Sequence, residues 1–104
     1  MKNNPRCEPI VSVIIPSIRY ALAHILYEKY TLKQAQVALT LGITQAAVNK
    51  YINERCSDKI KIIGKTLEQD PTVYKIASKI IHTNTDEVNQ FIDTLASELS
   101  LRPL

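Results

Sequence analysis

The stretch that most constrains this chain is Thr31 to Cys56, TLKQAQVALTLGITQAAVNKYINERC. Thr31 and Gln34 have the spacing of a capping box, in which a threonine hydroxyl accepts an N–H three residues on and a glutamine reaches back. Leu32, Ala35, Ala38 and Leu39 follow at helical spacing, and Gly42 supplies a residue for the left-handed conformation that ends a helix. Ile43 plugs the turn, and Thr44 can cap a second helix, with Val48, Tyr51 and Ile52 along its apolar edge. Two short helices joined by a glycine turn describe a helix-turn-helix over residues 31–56. Ala38 falls where the helices cross, with Ile43 and Val48 closing the small core between them. A generic helical hairpin is the competing reading.

The flanks predict more helices. Residues 1–8 are polar and proline-bearing, and are expected to form a flexible tail whose Lys2 and Arg6 could act as a basic arm on DNA. Residues 9–15 are β-branched yet continue the apolar spacing of residues 17–29. A long first helix starting with Pro9 at N1 and kinked at Pro16 is preferred to a strand. Ile18, Ala21, Leu22, Ile25 and Leu26 form a stripe expected to lie over the helix-turn-helix as a lid. His24 is expected on the partly exposed flank, since no Cys, His or Asp cluster accompanies it. Tyr20, Tyr27 and Tyr30 are read as packing groups with hydroxyls at the rim.

Ser57 can cap a helix through Leu67 that carries Ile60, Ile63 and Leu67 on one face and is weakened by Gly64. Asp70-Pro71 is an N-cap followed by an N1 proline. The next helix should bury Val73, Ile76, Ala77, Ile80 and Ile81. Asn84 and Glu87 are spaced to cap a last helix with an apolar stripe of Val88, Phe91, Ile92, Leu95, Ala96 and Leu99. That stripe can complete the core or pair with its copy. The dimer is the expectation, with Val88, Phe91, Ile92, Leu95 and Leu99 as its interface. The fold class is therefore all-α, a compact bundle of five to six helices in one domain, 9–104, with 57–100 as a C-terminal helical extension.

Charge sharpens the functional reading. Residues 1–82 hold 12 Lys and Arg against 6 Asp and Glu, whereas residues 83–104 hold 1 against 4. A basic front half suits a nucleic-acid partner. No apolar run approaches a membrane span, and no signal peptide opens the chain, so a cytoplasmic location is expected. Cys7 and Cys56 form no C-x-x-C, and no metal or other cofactor is expected. With no catalytic constellation and 2 glycines, the chain reads as a non-enzyme.

The segment from Pro5 to Ile52 resembles the N-terminal region of a group of archaeal predicted transcriptional regulators. The pieces that carry the resemblance are Cys7-Glu8, Ile15-Pro16-Ser17-Ile18-Arg19 and Leu41-Gly42-Ile43-Thr44-Gln45-Ala46-Ala47-Val48, with Asp70 to Lys79 matching more loosely. The resemblance implies a helix-turn-helix of the lambda-repressor/Cro (XRE) type. Some of these regulators carry a further domain resembling a thiamine-phosphate synthase, and this chain is expected to be a stand-alone version without it. It departs from the group at Asn49, where serine is usual, and in lacking a cysteine pair in the last helix.

A recognition helix over 44–54 in the major groove of double-stranded DNA makes Thr44, Gln45, Ala46, Asn49 and Lys50 the candidate base contacts. Lys33, Gln34, Arg55, Lys59 and Lys61 are the candidate phosphate contacts, and Gln34 is expected to prop Gln45. The sequence thus predicts a DNA-binding transcriptional regulator acting as a homodimer. The alternative is a protein-interaction or antitoxin-like accessory module that uses the helix-turn-helix as a scaffold.

Overall fold

The chain folds as a run of α-helices whose ends are set by local chemistry. A computed structural model describes residues 7–82 and 85–101. Six α-helices are present among the described residues: α1 (Cys7–His24), α2 (Gln34–Leu41), α3 (Gln45–Ile52), α4 (Asp58–Glu68), α5 (Pro71–Ile80) and α6 (Thr85–Leu101). A π-helical turn, Ile25–Lys29, prolongs α1. The class is all-α, as predicted. The radius of gyration, 13.3 Å, is that of a compact chain of this length. Among the described residues no helix is long and apolar enough to cross a membrane.

α1 is continuous through Pro16, so residues 10–15 are helical rather than extended. The helix already includes Cys7 and Glu8, so the tail expected over 1–8 is shorter at its inner edge, and Pro9 lies inside the first turn rather than at N1. The basic arm at Lys2 and Arg6, like the Asn84 cap, lies outside the described residues. The proline removes a backbone donor, and just beyond it the Ser17 hydroxyl donates to the Val13 carbonyl at 2.7 Å.

α1 is the axis of the bundle rather than a lid. It packs chiefly on α4 and α6 and also touches α2, α3 and α5. Its second half is accordingly buried on every side, from Tyr20 through Leu26. Tyr20, expected to pack with its hydroxyl at the rim, does pack and is wholly buried; its ring lies 4.3 Å from that of His24 and edge-on to Tyr51, and its hydroxyl donates to Glu54 Oε1. His24, expected on a partly exposed flank, is only 6% exposed and joins its Nε2 to the Tyr51 carbonyl at 2.9 Å. Gly64 makes the α1–α4 approach possible: a Cβ there would stand 2.3 Å from Tyr20 Cδ1. The glycine read as a weak point in α4 is a contact point.

The caps at Ser57 and Asp70 form as predicted. Ser57 accepts from the Ile60 N–H at 3.3 Å, and Asp70 accepts from the Thr72 N–H at 2.8 Å. α5 buries Val73, Ala77 and Ile80. The apolar stripe of α6 is spent within the chain. Val88, Ile92, Leu95 and Leu99 are each no more than 5% exposed, and Phe91 packs on the same core. α6 lies against α1 and α2, so the expectation that these five residues form a dimer seam is corrected. Val88, Ile92, Leu95 and Leu99, sealed beneath their own chain, offer no area to a partner, and Phe91 alone of the five stays partly exposed.

Candidate nucleic-acid interface

The geometry of residues 31–56 is governed by three left-handed residues: Thr31 (φ 54), Gly42 (φ 68) and Glu54 (φ 57). Each ends a helical segment. After the π-helical turn, the Leu32 N–H reaches back to the Leu26 carbonyl at 3.1 Å. Thr31 is thus the stop of the preceding segment and not the cap of the next. Its hydroxyl donates to the Tyr30 carbonyl instead. The N-cap of α2 is Lys33, and the Gln36 side chain accepts from the Lys33 N–H at 3.1 Å. Only the reach-back half of the capping box expected at Thr31 and Gln34 forms, two residues later, because a lysine side chain cannot accept; the shift frees the Gln34 amide for other work.

At Gly42 the chain reverses through paired bonds, Ile43 N–H to the Ala38 carbonyl and Gly42 N–H to the Leu39 carbonyl. This is a Schellman closure, which needs a left-handed residue and is eased by glycine. Thr44 then caps α3 as expected, accepting from the Ala47 N–H at 3.0 Å. The buried residues of α2 are Val37, Ala38 and Leu41, facing Val48 of α3. The apolar stripe predicted for α2 is corrected in part: Ala38 is buried, but Ala35 is exposed and Leu39 is 76% exposed. The helix is turned so that Val37 and Leu41 seal the core.

α3 closes the same way. The Arg55 N–H reaches the Lys50 carbonyl at 2.8 Å and the Glu54 N–H reaches the Tyr51 carbonyl at 3.1 Å. This reversal carries the Arg55 guanidinium back over the outer face of α3, where it donates to Asn49 Oδ1. Asn49 Nδ2 in turn donates to Gln34 Oε1 at 3.3 Å. The three side chains form a chain of polar contacts, Gln34–Asn49–Arg55, tying the start of α2 across α3 to the segment after it. Gln34 therefore braces Asn49, and the expected Gln34–Gln45 prop is corrected.

A concavity of about 620 Å³ opens on this face, lined by Gln34, Gln45, Ala46, Asn49, Lys50 and Arg55. Four of the five predicted base-contact residues meet here with two of the predicted phosphate contacts. Among the described residues, two cations and no acid line it. Thr44, Lys33, Lys59 and Lys61 are not in the lining. Lys33 and Lys59 are exposed, and Lys61 lies 3.4 Å from Asp58 one turn away. Lys65 is turned towards Glu54 at 3.3 Å, and its ammonium holds the Glu54 carboxyl below the usual carboxylate range. That pairing leaves Glu54, the chain neighbour of Arg55, already matched. Beside the concavity, partial burial pushes the Cys56 thiol up.

The role of Arg55 as the partner of Asn49 has no signature in helical spacing, because the chain leaves α3 before Arg55. A left-handed non-glycine residue at Glu54 is the feature that brings it back.

No protein-family model matches this chain, and no curated protein and no solved structure matches it.

Proposed function

We propose that the chain is a sequence-specific double-stranded DNA-binding transcriptional regulator whose α2–turn–α3 unit is a helix-turn-helix, with α3 entering the major groove. The observation that carries the reading is the concavity of Gln34, Gln45, Ala46, Asn49, Lys50 and Arg55, which offers amide and cationic donors without an acid. DNA presents adenine N6 and N7, guanine O6 and N7, thymine methyls and phosphates to such a surface. Gln45, exposed in the first turn of α3, reads adenine; Ala46 meets a thymine methyl; Lys50 reaches guanine or a phosphate. Asn49 has one amide hydrogen and one oxygen lone pair committed to Gln34 and Arg55, so its part is to hold those two side chains in register. Lys33, Lys59 and Lys61 supply phosphate contacts around the rim. The resemblance to archaeal regulators of the lambda-repressor/Cro type supports the same reading. Two copies occupying paired half-sites is the binding mode we assign, since helix-turn-helix proteins read half-sites about one helical turn apart.

The test is selection of bound fragments from random DNA, followed by titration of the selected site. Gln45→Ala is expected to cost about 1–3 kcal/mol on that site and to relax one base position. Equal losses on selected and random DNA overturn base reading by Gln45, and failure to enrich any sequence overturns the function. A protein-interaction module is the second reading, favoured by the exposed apolar side chains of Leu39 and Ile62. Enrichment of a DNA site separates the two.

A further inference from the structure

Where the end of α1 meets α4 and the last turn of α3, His24, Glu28 and Glu68 converge. One ligand-capable atom from each lies within 4.8 Å of the others. They line a hollow of about 290 Å³ together with Glu54 and Lys65, and those two are paired with each other. The hydrogen bonding of His24 makes this group more than a cluster of acids. A backbone carbonyl can only accept, so the 2.9 Å contact with the Tyr51 carbonyl requires the proton on Nε2. In the neutral ring Nδ1 is then a bare lone pair. It sits on a side chain that is 92% buried, 3.6 Å from Glu28 Oε2, a distance that serves an ion pair when the ring is protonated and is longer than a direct hydrogen bond. One carboxylate from the π-helical turn and one from α4 thus face the imidazole nitrogen, while Lys65, the cation in the same hollow, is turned towards Glu54.

We propose that His24 Nδ1, Glu28 and Glu68 bind a single divalent transition-metal ion of the zinc type. Donation from the second ring nitrogen to a backbone carbonyl is the arrangement that orients metal-bound histidines. One nitrogen with two oxygens suits zinc or cobalt rather than magnesium or calcium, which favour oxygen alone. Ligand bonds of roughly 2.0–2.2 Å need the three donors to draw together by about 1 Å. The Glu28 side chain, 55% exposed and on the π-helical turn, has the freedom to do so. Water fills the remaining positions from the open side of the hollow. The bound ion ties α4 to the end of α1, and through the His24 ring to the last turn of α3. The proposal stands apart from the DNA reading, and its test does not use DNA.

The experiment titrates the full chain with Co²⁺, following visible absorbance, and with Zn²⁺ against a chromophoric chelator. One equivalent is expected to bind, without a thiolate charge-transfer band and without displacement by excess Mg²⁺. Glu28→Gln and Glu68→Gln alter exposed and half-buried side chains and preserve shape, so circular dichroism should show them folded. Each should weaken binding about tenfold or more. His82→Asn, at an exposed histidine outside the cluster, should bind as the parent chain does. Absence of a one-equivalent site overturns the proposal, as does unchanged affinity in both glutamine variants. Displacement by Mg²⁺ at comparable concentration overturns the assignment of ion class.

Discussion

Replacing Gly64 by alanine tests whether the α1–α4 contact is built on a missing side chain. In an exposed helix interior, glycine to alanine stabilises by about 1 kcal/mol, because the backbone loses less freedom on folding. At Gly64 the new Cβ would lie 2.3 Å from Tyr20 Cδ1, 2.9 Å from Cγ and 3.1 Å from Cε1. Ordinary contact needs a retreat of about 1 Å. The ring has little room to make it. It is wholly buried, tilted against His24 and edge-on to Tyr51, and its hydroxyl donates to Glu54 Oε1 at 3.2 Å. Overpacking of such a site costs typically 1–3 kcal/mol, and the confinement of Tyr20 puts it at the upper end. Set against the helix gain, the net loss is about 2 kcal/mol. Urea unfolding followed by circular dichroism should show the midpoint falling by about 1 M at constant slope. In a Tyr20→Leu background the shorter side chain clears the new methyl, and Gly64→Ala should regain most of its loss. A higher midpoint for the single variant would refute the reasoning, and additive effects in the double variant would place the cost elsewhere than Tyr20.

Thr31→Gly should raise stability by about 0.5–1 kcal/mol by removing a Cβ from a left-handed residue, read as a higher thermal midpoint; no gain would mean that the hydroxyl bond to Tyr30 outweighs the strain. Leu95→Ala should cost about 2–5 kcal/mol as a core truncation, whereas Leu39→Asp should change stability little. A loss of subunit association without a loss of stability in Leu95→Ala would restore α6 as a dimer seam. Lys65 holds the Glu54 carboxyl below its ordinary 4.5, so its contribution is fully present above that value. It is lost as pH falls through the depressed folded-state value, and Glu54→Gln should flatten the stability curve in that acid range; an unchanged curve would refute it. In a Cys7→Ser background, Cys56 should alkylate more slowly than an unstructured thiol at the same pH, because burial raises its pKa; an equal rate would show an open thiol.

Features legible in the chain are those decided within a few residues. Ser57, Asp70-Pro71, Gly42 and Thr44 announce helix boundaries by their own hydrogen-bonding or conformational needs, and each does what its type implies. The stops at Thr31 and Glu54 are illegible for the converse reason, since neither residue favours the left-handed conformation and tertiary contacts impose it. The rotation of α2 that exposes Leu39 and buries Val37 was hidden because both registers place apolar residues at helical spacing. That Gln45, Ala46, Asn49 and Lys50 share one concavity follows from position along a short capped helix. The Gln34–Asn49–Arg55 chain does not, since it depends on where the backbone goes after Ile52. The approach of Glu68 to His24 likewise depends on packing between α1 and α4, although the His24–Glu28 spacing was visible.

The candidate interface therefore owes its geometry to residues far from its surface. α3 has 8 residues, too few to hold a helix by itself in water. Val48 anchors one face of it, and the Schellman reversal closes its end. The carbonyl of Tyr51 is gripped by His24, whose ring packs at a tilt against Tyr20, which lies in the notch left by Gly64. These contacts form one continuous path from the middle of α4 to the last turn of α3. Movement of Tyr20 at one end must then displace His24, the Tyr51 carbonyl, or both, because the close-packed interior leaves no slack to absorb it. Gly64→Ala, designed as a stability test, is for that reason also a probe of the face carrying Gln45 and Asn49, reached without touching any residue that lines it.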